Sequence, residues 1–262
     1  MLTSNERIIW DSCYLCGNKS ITNVYDVRKI VKCNKCKFVF FSQVPSDDDL
    51  NKVYSKYTRK EYITEQSKLK IRSEFSFILK NNTIKNVLDI ACGECYMLEI
   101  LRDLQPSLSL HGTEHESAKD NLNKKNISFL EGGFYPQTNE KFDLIIFTEA
   151  IEHINDVNDF LKNAYKLLNK NGLIYLTTPN FNSVERFFMQ SNWGMIMPPE
   201  HLSYFSTQTL NMSLTKNGFK KIKLRTENIS IYRIIEFYNR RKFSKTSPSS
   251  ISAQDISDKM QN

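Results

Sequence analysis

Four cysteines near the start of the chain constrain its folding more than any other feature. Their spacing is C-x2-C-x16-C-x2-C, which lets two tight turns present four thiolates tetrahedrally to one zinc ion. Gly17, directly after the second cysteine, suits such a turn. Because the protein would fill all four positions around the ion, we expect its role to be structural. The sequence therefore predicts a zinc ribbon over residues 1–45, with the ligands Cys13, Cys16, Cys33 and Cys36.

After the ribbon, the chain comes to alternate between short apolar runs and helix-length segments. The runs lie at residues 86–91, 107–113, 127–130, 142–148, 172–178 and 219–225. Buried strands separated by helices are typical of a mainly parallel sheet with helices on both faces. We therefore expect an α/β main domain over residues 84–243.

Three further segments differ from this pattern. An acidic run and an amphipathic stretch predict a helical connector over residues 46–83, which we expect to cover part of a binding site in the main domain. The aromatic segment 181–205 is too long for a simple connection, and we expect it to cover the same site. Residues 244–262 are rich in serine and poor in large apolar side chains, so we expect a flexible tail.

Composition limits the class of protein. With 40% hydrophobic and 25% charged residues, the chain of 262 residues can form one substantial core, which excludes disorder as its main state. No run approaches the roughly 20 apolar residues of a membrane span, and the start lacks a secretory signal, so we expect a cytoplasmic protein. The formal charge of +7 is concentrated in residues 216–245. This basic segment can attract phosphorylated substrates, nucleic acid or an anionic surface, or it can be a solvated face.

Two motifs on successive strands predict a site for a nucleotide-like ligand. The run NVLDIACGECYML is an apolar strand that ends near Asp89 and passes through a tight turn with Gly93 into a helix. The N–H groups of such a turn face a ligand over the carboxyl end of the strand. The next strand ends at Glu114, where an acidic side chain can hold both hydroxyls of a ribose.

The order of the motifs resembles that of a known family. VLDIACGEC, HGTEHES, FDLIIFTEAIEH and NGLIYLTTPN are similar to the successive motifs of class I S-adenosylmethionine-dependent methyltransferases. The resemblance implies a Rossmann-like, mainly parallel seven-stranded sheet and S-adenosyl-L-methionine as cofactor. Together with PPEHLSYFS, the ribbon resembles a subgroup that modifies sugars, nucleotide-linked sugars and other small metabolites. This implies O-methylation in a surface-polysaccharide or related biosynthetic pathway.

The resemblance also implies roles for individual residues. Asp89, Ala91 and Gly93 would lie beside the methionine part of the cofactor, and Glu114 would hold its ribose hydroxyls. His115 and Phe134 would flank the adenine. Thr148 and Glu149, at the end of the fourth strand, would line the cofactor pocket. The family has glycine where Ala91 and Cys95 stand here, and an acidic residue where Gly133 stands.

Two segments are candidates for the chemistry. In quinone-pathway relatives, an E-x-x-E-H segment resembling the one here contacts a divalent ion, so an ion near Glu149, Glu152 and His153 is one hypothesis. The other is that Glu152 and His153 only begin the next helix. His201 lies in the PPEH segment, where its imidazole can accept the proton of an acceptor hydroxyl. We predict a catalytic His201, with a structural histidine as the alternative.

Three functions are compatible with these features. Methyl transfer to a small sugar-like or phosphorylated metabolite accounts for most of them, and its partner would be a small-molecule acceptor rather than nucleic acid. An RNA methyltransferase would grip phosphates with the ribbon and the basic segment, but the fourth strand ends in TEAIEH rather than in an N-P-P-[YF] loop. A non-catalytic cofactor-binding scaffold is suggested only by Ala91 and Cys95. The sequence determines neither the acceptor atom nor the oligomeric state.

Overall fold

The computed structural model of the protein describes residues 8–46, 50, 64–226 and 235. The chain divides into two compact units. The first comprises residues 1–181 and 195–226, and the second comprises residues 182–194 and 227–262. Within the described ranges no helix is both long and apolar enough to cross a membrane.

Short antiparallel strands form the N-terminal region. One sheet contains three of them, in which β3 pairs with both β2 and β4. A late segment of the chain, Ser203–Tyr204, adds a fourth strand to this sheet by pairing with β4. A separate two-stranded sheet joins β1 to β5. The five N-terminal strands are β1 (Ile8–Ile9), β2 (Ile21–Tyr25), β3 (Ile30–Cys33), β4 (Val39–Phe41) and β5 (Gln43–Val44).

A parallel sheet of five strands follows and confirms the predicted α/β fold class. Its strand order is β10-β9-β6-β7-β8, and all four pairings are parallel. Each strand overlaps one of the predicted apolar runs. The strands are β6 (Asn86–Ile90), β7 (Ser109–Thr113), β8 (Ser128–Phe129), β9 (Phe142–Thr148) and β10 (Leu168–Thr177), while Ser203–Tyr204 is β11.

The sixth predicted run is wrong as a strand. Residues 219–225 are assigned to no strand, and the parallel sheet has five strands within the described ranges rather than the seven implied by the resemblance. The physical reason is exposure: residues 220–225 are all exposed, Ile222 to 79%, so little apolar burial favours pairing of this segment with the sheet.

The helices cover the parallel sheet and connect its strands. The predicted helix near residues 64–80 is α1, whose N-terminus is capped by the Thr64 side chain. Leu69 of this helix is 68% exposed, because the apolar stripe that packs against the core runs through Ile71, Phe75 and Ile78. The helices of the first unit are α1 (Glu65–Asn81), α2 (Tyr96–Leu104), α3 (Lys119–Lys124), α4 (Val157–Leu167) and α6 (Thr207–Lys216).

The second unit contains α5 (Val184–Met189) and the short 3-10 helix Gln190–Asn192 within its described part. The Ser183 side chain caps α5 by accepting a hydrogen bond from the backbone N–H of Arg186. The predicted cover segment 181–205 is thus divided between the two units, and its covering role stays a prediction. The tail 244–262 lies outside the described residues, and so do residues 47–49 and 51–63 of the connector 46–83.

One hydrophobic core joins the N-terminal sheet to the parallel sheet. Phe38 and Phe40 of the N-terminal region belong to the same buried cluster as Leu88, Ile90 and Phe147 of the parallel strands. A second cluster on the other side of the parallel sheet contains Phe75 of α1 and Leu98 of α2. The N-terminal region therefore folds against the main sheet instead of forming a core of its own.

Candidate functional site

The strand order reverses at β6, and the predicted binding loop lies at that place. β7 and β8 follow on one side of β6, whereas β9 and β10 lie on its other side. In open parallel sheets, ligands bind outside the carboxyl ends of the strands at such a reversal. The loop from Ala91 to Cys95 and the residues after β9 flank this crevice.

The loop after β6 has an unusual backbone. Ala91, Gly93 and Cys95 all have positive φ angles, of 57°, 51° and 65°. Only glycine adopts this left-handed region without strain, so the glycines that the family places at the first and third positions have a direct physical reason. Here alanine and cysteine occupy the left-handed positions at the two ends of the loop.

Glu114 closes this loop from the neighbouring strand. Its carboxylate accepts a hydrogen bond from the backbone N–H of Gly93 at 2.9 Å and another from His115 at 3.0 Å. Ala91 is held in the same way, because its N–H donates to the Thr113 hydroxyl at 3.2 Å. The structure therefore brings the predicted ribose-binding acid and the predicted methionine loop into direct contact.

The other predicted cofactor residues do not contact one another as Glu114 and Gly93 do in the described hydrogen bonds. Asp89 is buried at the end of β6, and Thr148 ends β9 on the adjacent strand. Glu149 is exposed with a φ of 48°, and its N–H donates to the Thr177 carbonyl. His115 is exposed and caps the 3-10 helix Glu116–Ala118, whereas Phe134 is half-buried against the core. No observation assigns these side chains to a ligand, so their roles stay predictions.

The third cysteine pair lies inside the loop. The Cys92 and Cys95 sulfurs are 3.5 Å apart and both side chains are buried. Cys92 packs so tightly on Gly112 that a Cβ there would come within 2.9 Å of its sulfur. The hydrogen bond between the two thiols, followed by burial, raises the pKa of Cys92, and the same bond lowers the pKa of Cys95.

The four predicted zinc ligands converge. Their sulfur atoms all lie within 4.8 Å of one another, and two of the pairs are 3.6 Å apart. Four sulfurs at Zn–S distances of about 2.3 Å stand about 3.8 Å apart, so the cluster has the dimensions of a tetrahedral site. The four cysteines are Cys13, Cys16, Cys33 and Cys36.

Two similar turns build the cluster. Gly17 has a φ of 74° and donates its N–H to the Cys13 carbonyl, as predicted for the first turn. Lys37 occupies the same place after the second pair, with a φ of 66° and an N–H bonded to the Cys33 carbonyl. The cysteine spacing predicts both turns but not the left-handed backbone at Lys37, because lysine rarely adopts that conformation.

The thiol environment within the cluster is uneven. Burial raises the pKa of Cys33, but N–H groups of Cys36 and Lys35 and the neighbouring thiols outweigh it and lower the pKa to about 6. Burial raises the pKa of Cys36 to about 11, and it also raises the pKa of Cys13. A divalent ion bound by these sulfurs would favour ionisation of the thiols.

A second cluster contains Glu152, His153 and His201. One ligand atom of each lies within 4.8 Å of the others, and the two imidazole centroids are 4.8 Å apart. The Thr178 hydroxyl donates to one Glu152 carboxyl oxygen at 2.9 Å. The other oxygen is buried and makes no hydrogen bond with any described residue. The cluster includes His201 in place of Glu149, which the sequence had grouped with Glu152 and His153.

Hydrogen bonds orient both histidines. His153 Nδ1 lies 2.8 Å from the Glu200 carbonyl, and His201 Nδ1 lies 2.9 Å from the Met195 carbonyl. Since a carbonyl only accepts, each Nδ1 carries the proton, and in the neutral ring the lone pair is on Nε2. Burial lowers the pKa of His153 and raises that of Glu152 well above its usual value, the latter with help from Glu149. A neutral His153 imidazole therefore stands beside a carboxyl group that resists ionisation.

Comparisons with known proteins agree with this architecture. Residues 62–224 match a family model described as a methyltransferase domain. The ubiquinone biosynthesis O-methyltransferase of Pelagibacter ubique is 31% identical over 130 residues, covering 47% of this chain and 52% of that protein. The mitochondrial enzyme of the same name from Rattus norvegicus is 26% identical over 149 residues, covering 50% and 43%. The chain spans about half the length of the curated relatives it matches.

Solved structures show the same fold. The plantazolicin methyltransferase BpumL in complex with SAH covers 78% of this chain and 88% of its own, with 21% identity and a TM-score of 0.52. Human N-acetylserotonin methyltransferase in complex with SAM covers 70% and 56%, with 14% identity and a TM-score of 0.50. The family match covers more than half of the chain and contains both the loop and the Glu152 cluster, so the chain belongs to the methyltransferase domain family.

Proposed function

We propose that the protein transfers a methyl group from S-adenosyl-L-methionine to a hydroxyl of a small molecule. The observation that carries the proposal is the contact of the Glu114 carboxylate with the Gly93 N–H at the reversal of strand order. Family membership, solved relatives in complex with SAM or SAH, and curated relatives named O-methyltransferases support it.

The cofactor supplies an electrophilic methyl group on a sulfonium when it is bound. In our proposal, Glu114 exchanges its present N–H partners for the ribose hydroxyls, and the Ala91–Cys95 loop receives the methionine part. Asp89 stands with this loop beside the methionine part. His115 and Phe134 flank the adenine, while Thr148 and Glu149 form the wall of the pocket.

His201 is proposed as the base. Its Nδ1 is fixed on the Met195 carbonyl, which places the lone pair of the neutral ring on Nε2. A hydroxyl oxygen attacks the methyl carbon more readily as its proton leaves, and Nε2 can accept that proton. His153 is held in the same tautomer, and its ring meets His201 edge to face. His201 Nε2 is therefore the proposed acceptor of the hydroxyl proton.

Two classes of acceptor fit this chemistry. A phenolic hydroxyl has a pKa of about 10, which a neutral imidazole can match more closely than it can match an aliphatic alcohol. The names of the relatives, which concern ubiquinone biosynthesis, also favour a phenol-like acceptor. The second class is the sugar-like or phosphorylated metabolite expected from the sequence. It is supported by the resemblance of the PPEHLSYFS segment, together with the ribbon, to the sugar- and metabolite-modifying subgroup.

A direct assay tests both the activity and the acceptor class. Purified protein is incubated with S-adenosyl-L-methionine and protocatechuate, a nucleotide sugar, a sugar phosphate or ribosomal RNA, and S-adenosylhomocysteine is measured. Methylation of either small-molecule class supports the proposal and identifies the acceptor. Turnover on RNA alone would replace it with an RNA methyltransferase, and cofactor binding without turnover on any acceptor would favour the scaffold.

Replacing His201 tests the base. His201→Ala should lower turnover by about 10²–10⁴ and leave S-adenosylhomocysteine affinity unchanged, because only proton transfer is lost. Activity of the parent should fall as acidification protonates the imidazole. Calorimetry and a pH–rate profile measure the two effects. A variant with parental turnover and a parental pH profile would return His201 to a structural role.

A divalent ion is the second candidate for the same cluster. The observation that favours it is a buried Glu152 oxygen that bonds to none of the described residues and lies beside two imidazoles. A carboxylate and two histidines form a common divalent-metal site. In that case His201 would hold the ion and orient the acceptor oxygen instead of taking its proton. Loss of turnover on chelation, with cysteine-bound zinc retained, and recovery with Mn²⁺ would select this role over the base.

We also propose that the four-cysteine cluster holds structural zinc. The support is the match between the observed sulfur separations and a tetrahedral Zn–S site. Elemental analysis should find about one zinc per chain. Absence of zinc from protein prepared without chelator, with all four thiols titrating in the folded state, would contradict the assignment.

A further inference from the structure

The four-cysteine ribbon and the His201 segment are parts of one sheet. β11 begins two residues after His201 and pairs antiparallel with β4, placing Ser203 opposite Phe40 and Tyr204 opposite Val39. β4 in turn follows the second cysteine turn directly, and the Cys33 N–H donates to the Phe38 carbonyl at 2.8 Å. The backbone that holds His201 is therefore continued, strand by strand, from the cysteine cluster.

Leu202 links the two clusters through a single residue. Its carbonyl accepts the N–H of Phe41 at 2.9 Å, and its own N–H donates to the Glu152 carbonyl at 2.8 Å. Leu202 is buried, so water cannot replace these bonds without opening the structure. A displacement of β4 would therefore reach the backbone of Glu152 and of the residue that follows His201.

The first cysteine turn makes a second connection. Tyr14, between Cys13 and Cys16, shares a short hydrogen bond between its hydroxyl and that of Ser203. Its ring packs edge-on against Phe38 and Phe40, and its carbonyl accepts the Asn158 side chain of α4 at 2.9 Å. Both cysteine turns thus contact the short strand after His201, one through side chains and the other through backbone pairing.

We propose that the cysteine cluster positions the Glu152, His153 and His201 cluster, and that Tyr14 and Ser203 are positioning residues for methyl transfer. The proposal rests on the function proposed above. β11 has only two residues and cannot fix its own place. Metal bound by the four cysteines would hold both turns and, through them, the approach of His201. Displacements of a catalytic group of even one ångström matter at this step.

The test uses Tyr14→Phe and Ser203→Ala in the full chain. Either change removes the shared hydrogen bond, and we expect turnover with the best small-molecule acceptor to fall about 3–10-fold. Zinc content and S-adenosylhomocysteine affinity should stay at the parental level, since neither residue touches a cysteine sulfur or the cofactor loop. The double variant should be within about twofold of the single ones, because both substitutions remove the same bond.

Histidine NMR gives a readout independent of turnover. The chain has four histidines, so the ring ¹⁵N signal of each can be assigned by substitution. In Tyr14→Phe and Ser203→Ala, the His201 signal should move while that of His111 in β7 stays unchanged. Thr22→Val is the matched control, because it removes a ribbon hydrogen bond to Asn34 from β2, the strand at the opposite edge of the sheet from β11. It should change neither turnover nor the His201 signal.

The outcomes separate this proposal from the proposed function. Parental turnover and an unmoved His201 signal in both variants would overturn the positioning role. A shift of equal size in Thr22→Val would overturn it as well, because the effect would then reflect general loosening of the ribbon. If the parent neither binds S-adenosylhomocysteine nor transfers methyl, the proposed function fails, while the NMR comparison still decides whether the ribbon positions His201.

Discussion

The ribbon and the Ala91–Cys95 loop both contain cysteines separated by two residues, yet the surroundings of these cysteines differ. In the ribbon, two such pairs face each other across β3 and its turns, and four sulfurs converge. In the loop, the two sulfurs of Cys92 and Cys95 lie 3.5 Å apart, and the absence of a side chain at Gly112 leaves room for the Cys92 sulfur. The same local spacing therefore forms a metal-sized cluster in one region and tightly packed loop side chains in the other.

The difference shows what a Cys-x-x-Cys pattern alone can determine. It places two thiols on one tight turn, but their chemistry depends on what the fold brings opposite them. In the ribbon, the partner is a second turn supplied by strand pairing. In the loop, the partner is the Glu114 carboxylate, which bonds to the Gly93 N–H between the two cysteines. A ligand with a positive charge suits the first arrangement, and a ligand with hydroxyls suits the second.

The largest expected effect comes from removing one ribbon sulfur. Cys33→Ser should abolish zinc retention and lower the free energy of unfolding by several kcal/mol, since the binding energy of a structural zinc is folding energy. Cys95→Ser, the matched change in the loop, should keep the zinc. Elemental analysis and denaturant unfolding of both variants measure the contrast. Equal zinc loss in both, or in neither, would remove the distinction between the regions.

Replacing Glu114 tests the loop with an intermediate effect. Glu114→Ala should weaken S-adenosylhomocysteine binding by about 1.5–3 kcal/mol, because charged hydrogen bonds to the ribose are lost. Zinc content should not change. Glu116→Ala, two residues away, removes a carboxylate from a neighbouring turn and should bind like the parent. Unchanged calorimetric affinity in Glu114→Ala would show that the second strand does not form the ribose site.

The smallest expected effect concerns backbone strain in the loop. Ala91→Gly should raise the free energy of unfolding by about 0.5–1 kcal/mol, because alanine at a φ of 57° is strained and glycine is not. Ala150→Gly is the control: its φ is −124°, so the same substitution should lower stability. Thermal unfolding of the two variants measures both signs. Destabilisation by Ala91→Gly would mean that its methyl packing outweighs the strain.

Patterns in the sequence predict the α/β class, the five parallel strands of the described sheet and the four-cysteine cluster. Each of these depends on local spacing: apolar runs of strand length, a tight turn after β6, and paired cysteines. The sequence also placed Glu114 next to the loop, because parallel strands end at the same edge of a sheet. The prediction is wrong at residues 219–225, where a short apolar run suggested a strand but residues 220–225 are exposed.

Contacts between residues that are far apart along the chain become visible in the folded structure, and the sequence patterns do not predict them. The pairing of β11 with β4 joins positions more than 160 residues apart, and strands this short carry no sequence signal for a partner. The same pairing brings His201 to Glu152 and His153, whereas the sequence grouped those two with Glu149. Lys37 shows the same limit at a smaller scale, because the fold imposes a left-handed turn that its residue type does not announce. Local spacing in the sequence predicts strands, helices and turns, whereas the Glu152, His153 and His201 cluster depends on tertiary packing of distant segments.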